Sequence, residues 1–215
     1  DMAEHETCYS CVDCGAVSCA KRDQKNPPFC PTTQLSPEEK EKLLQTYRDD
    51  PTLHDMSVCS AEVEGAFYNQ LTRVEEIMEL AKRLNYHKIG IANCIGLREE
   101  ARTFARILRA HGFEVYGVTC KVGSLEKTAI GIEEKYTEKS GRVMCDPLLQ
   151  AQLLNKKHTD LNVVIGLCAG HDSIFFRNSE AYCTTLITKD RVLGHNPAAA
   201  LYTSYSYYKK LMQNG

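Results

Sequence analysis

The chain predicts an α/β fold: an open parallel sheet of about four strands flanked by helices, Rossmann-like or flavodoxin-like, with a small N-terminal cysteine-rich segment. Three observations predict it. Four short apolar runs, His87 to Asn93, Glu114 to Thr119, Asn162 to Leu167 and Thr184 to Thr188, have the length and composition of buried strands. The stretches between them carry helical apolar stripes, and such alternation implies parallel strands joined by crossover helices. The first three runs end alike, in a cysteine closely followed by glycine: Cys94-Ile95-Gly96, Cys120-Lys121-Val122-Gly123 and Cys168-Ala169-Gly170.

Residues 1–35 form the cysteine segment, closed by Asn26-Pro27-Pro28 and Cys30-Pro31, where prolines stiffen the chain and remove ladder donors. Residues 36–215 form the α/β domain, whose first part, 36–85, is helical. Ser36-Pro37-Glu38-Glu39 reads as a helix start with a capping box, and Asp49-Asp50-Pro51 as its stop. From Ser60 to Leu84 the apolar residues Val63, Ala66, Phe67, Leu71, Val74, Ile77, Met78, Ala81 and Leu84 recur at three and four, predicting one long helix.

After the first strand, Leu97, Ala101, Phe104, Ala105 and Leu108 make a second stripe, acidic early, basic late and stopped by Gly112. Asp146-Pro147 starts a helix over Leu148, Leu149, Leu153 and Leu154. Asn196-Pro197 starts the last, on which Tyr202, Tyr205 and Tyr208 would share a face.

Charge and hydropathy exclude some functions. A formal net charge of −2 argues against nucleic acid as partner. No run approaches the roughly 18 apolar residues of a membrane span, and Asp1-Met2-Ala3-Glu4-His5-Glu6 lacks the pattern of a secretory signal. The expectation is a soluble, cytoplasmic protein with reduced thiols, in which disulfides are disfavoured.

The 11 cysteines then need a role. Cys11, Cys14, Cys19 and Cys30 are spaced x2, x4 and x10, with Cys8 just upstream, among Asp13, Gly15, Ser18, Lys21, Arg22 and Asp23. Those neighbours cannot form a core, so these thiols read as metal ligands. Cys94, Cys120 and Cys168 end parallel strands, and strand C-termini share the edge where ligands bind. Cys145 precedes the helix start at Asp146 and joins them as a fourth. Cys59 and Cys183 have no such company and read as core or incidental.

The glycines after the strand cysteines free backbone N–H groups that favour anions and thiolates. Arg98, Lys121, Lys189 and Arg191 fall near strand ends and add positive charge; His171, Asp172 and His195 are candidates for proton transfer or ligation. Four thiolates suit zinc or iron equally, so spacing leaves the metal open. Ligands drawn from strand ends suit an iron–sulfur cluster better than structural zinc at the second site.

Cys11-Val-Asp-Cys14, Cys19, Cys30-Pro31, Ile91-Ala-Asn-Cys94-Ile-Gly-Leu97-Arg98, Cys120-Lys-Val-Gly123, Val164-Ile-Gly-Leu-Cys168-Ala-Gly-His171-Asp172 and Asp190-Arg-Val-Leu-Gly-His195-Asn196-Pro197 carry a resemblance over nearly the whole chain. They resemble an uncharacterised cysteine-rich family, found mainly in anaerobic microbes and labelled metal-binding. The resemblance implies metal binding and no particular activity. In that family the N-terminal pattern begins at the position of Cys11, which makes Cys8 an extra.

The leading expectation is an iron–sulfur protein with one or two 4Fe–4S clusters, zinc being the alternative at the N-terminal site. Sulfur transfer, desulfurisation or electron transfer is the expected chemistry, on a small anionic or sulfur-containing molecule. His171 or Asp172 would move protons, and Arg98 and Lys121 would clamp an anion. The alternatives are a non-catalytic zinc-binding or redox-sensing protein, and a metal-free thiol enzyme with Cys168 as nucleophile and His171 as base.

Overall fold

A computed structural model describes residues 9–21 and 25–213. The chain divides into two compact units, Asp1–Val58 and Cys59–Gly215. In the first, Cys11–Asp13 form a single 3₁₀ turn that the Asp13 carboxylate closes by accepting the Ser10 N–H at 2.8 Å. Two short helices follow, α1 (Ser18–Lys21) and α2 (Pro31–Gln34). Helix α3 (Pro37–Asp49) starts where the sequence places it: the Glu39 N–H donates to Ser36 Oγ at 3.1 Å and the Ser36 N–H to the Glu39 carboxylate at 2.8 Å. Asp50-Pro51 is both stop and start, because the Asp50 carboxylate accepts from the N–H groups of Thr52 and Leu53 at the head of α4 (Pro51–Ala66).

The single helix expected over 60–84 is two. α4 ends at Ala66, the chain turns through Asn69 at φ 58°, and α5 runs Arg73–Arg83. The break has a local cause that apolar periodicity hides: Thr72 and Glu75 form their own capping box, with the Thr72 N–H donating to Glu75 at 2.8 Å.

Four strands follow: β1 (Lys88–Asn93), β2 (Glu114–Thr119), β3 (Leu161–Ile165) and β4 (Tyr182–Ile187). All pair in parallel, in the order β2-β1-β3-β4. Between and after them lie α6 (Arg98–Ala110), α7 (Pro147–Lys156), α8 (His171–Asn178) and α9 (Ala198–Tyr202). Alternation along the strands sorts the core into two layers. Ile89, Ile91, Val163 and Ile165 face α5 and α6, meeting Ile77, Phe104 and Leu108. Ala92, Cys94, Val118 and Val164 face α7 and α8, meeting Ala151, Leu154 and Phe175. The result is the predicted open parallel sheet of four strands flanked by helices.

The last helix is shorter than expected. After Tyr202 the ladder gives way to turns: the Ser204 N–H donates to the Leu201 carbonyl at 3.2 Å and the Ser206 N–H to the Thr203 carbonyl at 3.0 Å, three residues back rather than four. Tyr202 and Tyr205 are exposed rather than packed on a common face. Among the described residues no helix is long and apolar enough to cross a membrane.

Candidate functional site

Strand order reverses between β1 and β3: the chain leaves β1 for β2 on one side, then returns to place β3 on the other. The crevice at such a point, outside the strand C-termini, is where open α/β sheets bind ligands. Cys94 follows β1 there and Cys168 follows the end of β3. Register sets Cys120 beside Cys94, since Asn93 pairs with Thr119 and the Cys120 N–H donates to the Asn93 carbonyl at 2.8 Å. Cys145 joins through the start of α7: the Asp146 N–H donates to the Cys120 carbonyl at 2.8 Å, and the Asp146 carboxylate caps the helix by accepting the Leu149 N–H at 2.8 Å. All four thiols line one cavity of about 540 Å³.

Their surroundings are polar and cationic. Cys120 lies between Cys145 and Cys94 and hydrogen-bonds to both, and its sulfur accepts the Ile95 N–H at 3.3 Å. Lys189 Nζ lies 3.2 Å from Cys94 Sγ, and the Arg191 guanidinium 3.1 Å from Cys168 Sγ. The hydrogen bond from Cys120, then the Gly96 N–H and the Lys189 ammonium, pull the Cys94 pKa down to about 4. The bond from Cys120, then the charges of Lys121 and His171, lower Cys145 to about 5. Donation to these two thiolates, with burial, pushes Cys120 far up. Arg191 is raised by its bond to Cys168 and by the charges of Cys168, Cys94 and Cys145.

These shifts have opposite signs, and so do their pH dependences. Cys94 and Cys145 titrate lower in the folded protein than their unfolded value near 8.5, so the stability they contribute is full above that pH and is lost as pH falls towards 5 and 4. Cys120 titrates higher when folded, so its contribution is full below about 8.5 and is lost as pH rises past it. In the metal-free protein, the Tm advantage of wild type over Cys145→Ala is expected to shrink between pH 8 and pH 5. A constant difference across that range would contradict the charge assignment.

A glutamine braces the thiols from below. Gln150, fully buried on α7, donates from Nε2 to the Val118 carbonyl at 2.7 Å and to the Asn93 carbonyl at 3.3 Å, tying together the strand ends that carry Cys120 and Cys94. Sequence reasoning passed over it; its one signal is a polar residue within an otherwise apolar helix stripe. Gln150→Leu is expected to cost about 1–3 kcal/mol in urea denaturation. A variant as stable as wild type would show that the brace carries nothing.

The other sequence candidates fall as follows. Lys121 and His171 line the cavity; the Lys121 ammonium also donates to the Val143 carbonyl. Arg98 is not brought there: its side chain is 64% exposed and lies 3.5 Å from Glu99. Asp172 accepts the Ser173 N–H at 2.8 Å in the first turn of α8 and does not line the cavity. His195 shapes a loop, its Nδ1 accepting the Asp190 N–H at 3.1 Å, and that loop carries Arg191. Cys183 packs against the α7–α8 side of the core.

Cys11 and Cys19 are exposed, Cys14 is half-buried and Cys30 is buried; Cys8 lies outside the described residues. Hydrogen bonding by Thr32 holds the Cys30 thiol below its ordinary pKa. Among the described residues no group of three or more His, Cys, Asp or Glu side chains is placed to hold a metal ion. As placed, therefore, neither the N-terminal four nor the four thiols at the sheet edge close on a single ion.

Comparison with known proteins supplies a family. An uncharacterized protein of Methanocaldococcus jannaschii, MJ0455, is 46% identical over 173 residues, covering 80% of this chain and 88% of the relative. Residues 30–186 match the family described as protein of unknown function DUF1847, a span that includes Cys94, Cys120, Cys145 and Cys168. This chain belongs to the DUF1847 family.

Proposed function

We propose that the C-terminal edge of the sheet is a metal-cofactor centre, an iron–sulfur cluster held by Cys94, Cys120, Cys145 and Cys168, serving electron transfer or sulfur transfer. One observation carries this: three strand ends and a helix start bring four thiols onto a single cavity beside cations. The donor set fits a cluster. Its ligands bind as thiolates; Cys94 and Cys145 are held in that form, and Cys120, held as the thiol between them, would give up its proton on loading. N–H donation to sulfur, as from Ile95 to Cys120, and nearby positive charge both tune such centres. Four thiolates would suit zinc as well as iron, and ligands drawn from separate strand ends favour the cluster over structural zinc.

A bound cluster would supply one-electron chemistry and, were only three of the four thiols to ligate it, a Lewis-acid point for a soft donor at the remaining iron. The chain's own residues do the rest. Lys189 and Arg191 offset thiolate charge, Gln150 fixes the spacing of the strand ends, and His171 stands where it can exchange a proton with a bound molecule. Cys11, Cys14, Cys19 and Cys30 enter as a second site, for zinc or another cluster, that the N-terminal segment would have to assemble. The described cysteines are all free thiols, which suits a reducing, cytoplasmic setting, and a net charge of −2 suits a partner other than nucleic acid.

The test is reconstitution of the full chain with ferrous iron and sulfide without oxygen. A brown protein whose broad visible absorption bleaches with dithionite supports the proposal. A colourless protein holding zinc without sulfide would replace it with structural metal binding. A metal-free thiol enzyme is the second reading, favoured by the depressed pKa of Cys94 and Cys145; its mark is activity that survives chelation.

A further inference from the structure

Between β2 and α7 the chain makes an excursion, residues 121–146, far longer than the roughly two to six residues usual between strands and helices of α/β folds. It is held shut on itself. Glu126 and Val143 form an antiparallel bridge, the Lys127 N–H donates to the Arg142 carbonyl at 3.0 Å, and the Met144 N–H to the Leu125 carbonyl at 2.8 Å. Its base is closed by the Asp146 N–H on the Cys120 carbonyl. Long excursions that are packed on themselves are frequently functional, as binding loops, lids or Ω-loops.

What it adds to the cavity is chemically distinct from the thiols. Lys127 and Lys139 bring charge, and Ile130, Ile132 and Met144 bring apolar surface. Among the described residues no Asp or Glu lines the cavity: Glu133 is paired with Lys135 at 2.8 Å and Glu134 with Arg142 at 3.4 Å. Lys189 and Arg191 are engaged by thiols, whereas Lys127 donates to the neutral Ser140 hydroxyl. Among the described residues, neither Lys127 nor Lys139 has a carboxylate partner. The cavity thus combines four thiols, apolar residues and lysines free of carboxylates around an open volume of about 540 Å³, within the range of small-molecule sites.

We infer that this cavity takes a small organic acid bearing a thiol, its carboxylate held by Lys127 and Lys139 and its sulfur against the floor of Cys94, Cys120, Cys145 and Cys168. The inference rests on the reading of that floor as a soft, metal-holding site and adds the ligand class.

The experiment is anaerobic calorimetry of the full chain, cluster-loaded and metal-free, with 3-mercaptopropionate, propionate and 2-mercaptoethanol. The loaded protein is expected to bind 3-mercaptopropionate at least tenfold more tightly than either half-probe. Lys139→Ala and Lys127→Ala should each weaken it about tenfold, the scale of one charge-assisted hydrogen bond. Lys135→Ala, on the excursion but outside the cavity lining, should bind as wild type. Iron content should be equal in all four proteins. Binding indifferent to both cavity lysines, binding no tighter than that of 2-mercaptoethanol, or no binding in either form overturns the inference. Failure to take up iron overturns the cluster reading alone, because lysine-dependent binding by the metal-free protein would still support the ligand class.

Discussion

Gly166→Ala is expected to lose about 2–5 kcal/mol of stability, a large part of what a domain of this size has. Gly166 follows β3 directly, at φ +64°, in the left-handed region that costs any residue with a Cβ. A Cβ built there would also lie 2.0 Å from Leu97 Cδ1, and Leu97 is buried in the turn that follows Cys94. Strain and collision therefore act together, and relief requires the buried Leu97 side chain to shift. Gly112→Ala separates the two: its φ is +88° but nothing lies within 4 Å of the added Cβ, so it carries strain alone. In denaturant titrations Gly166→Ala should shift the midpoint well beyond Gly112→Ala. Equal shifts would mean that the contact with Leu97 does not govern the site.

Cys94→Ala and Cys11→Ala are expected to part in a way that tests the division of labour among the thiols. Cys94 is nearly buried and packs beside Ala92 and Cys120, so its truncation removes little volume and should leave the sheet folded by circular dichroism. It removes one of four sulfurs and the partner of Lys189, so cofactor at the sheet edge should fall to near zero. Cys11 is exposed in a short 3₁₀ turn of the other unit. Its loss should leave the sheet-edge cofactor in place and affect only the first thirty-five residues. Equal cofactor loss from both variants, with unfolding of both, would contradict two separable sites.

Much of the fold was legible because its signals are local. The four strands stand out as β-rich apolar runs, and the cysteines that end three of them follow from the rule that parallel strands share a C-terminal edge. Cys145 was legible through the helix start at Asp146-Pro147. What escaped depends on distant pairing. Lys127 and Lys139 sit in an irregular excursion without period, and only the pairing of Leu125–Lys127 with Arg142–Met144 sets them in the cavity lining. Arg98 looked close in sequence to the site, but as the first residue of α6 it points to Glu99 and solvent. The break at Asn69 was masked because apolar residues continue through it; Thr72-x-x-Glu75 was the available sign. The N-terminal spacing is dense in cysteine, yet spacing alone does not gather ligands.

The most direct test is the iron and acid-labile sulfide content per chain of protein purified without oxygen, wild type beside Cys94→Ala. Wild type is expected to hold about four of each, the content of one 4Fe–4S cluster, or about eight if the N-terminal site holds a second, and Cys94→Ala about four fewer. Wild-type protein without iron and sulfide, or a variant that keeps its full complement, would contradict that expectation.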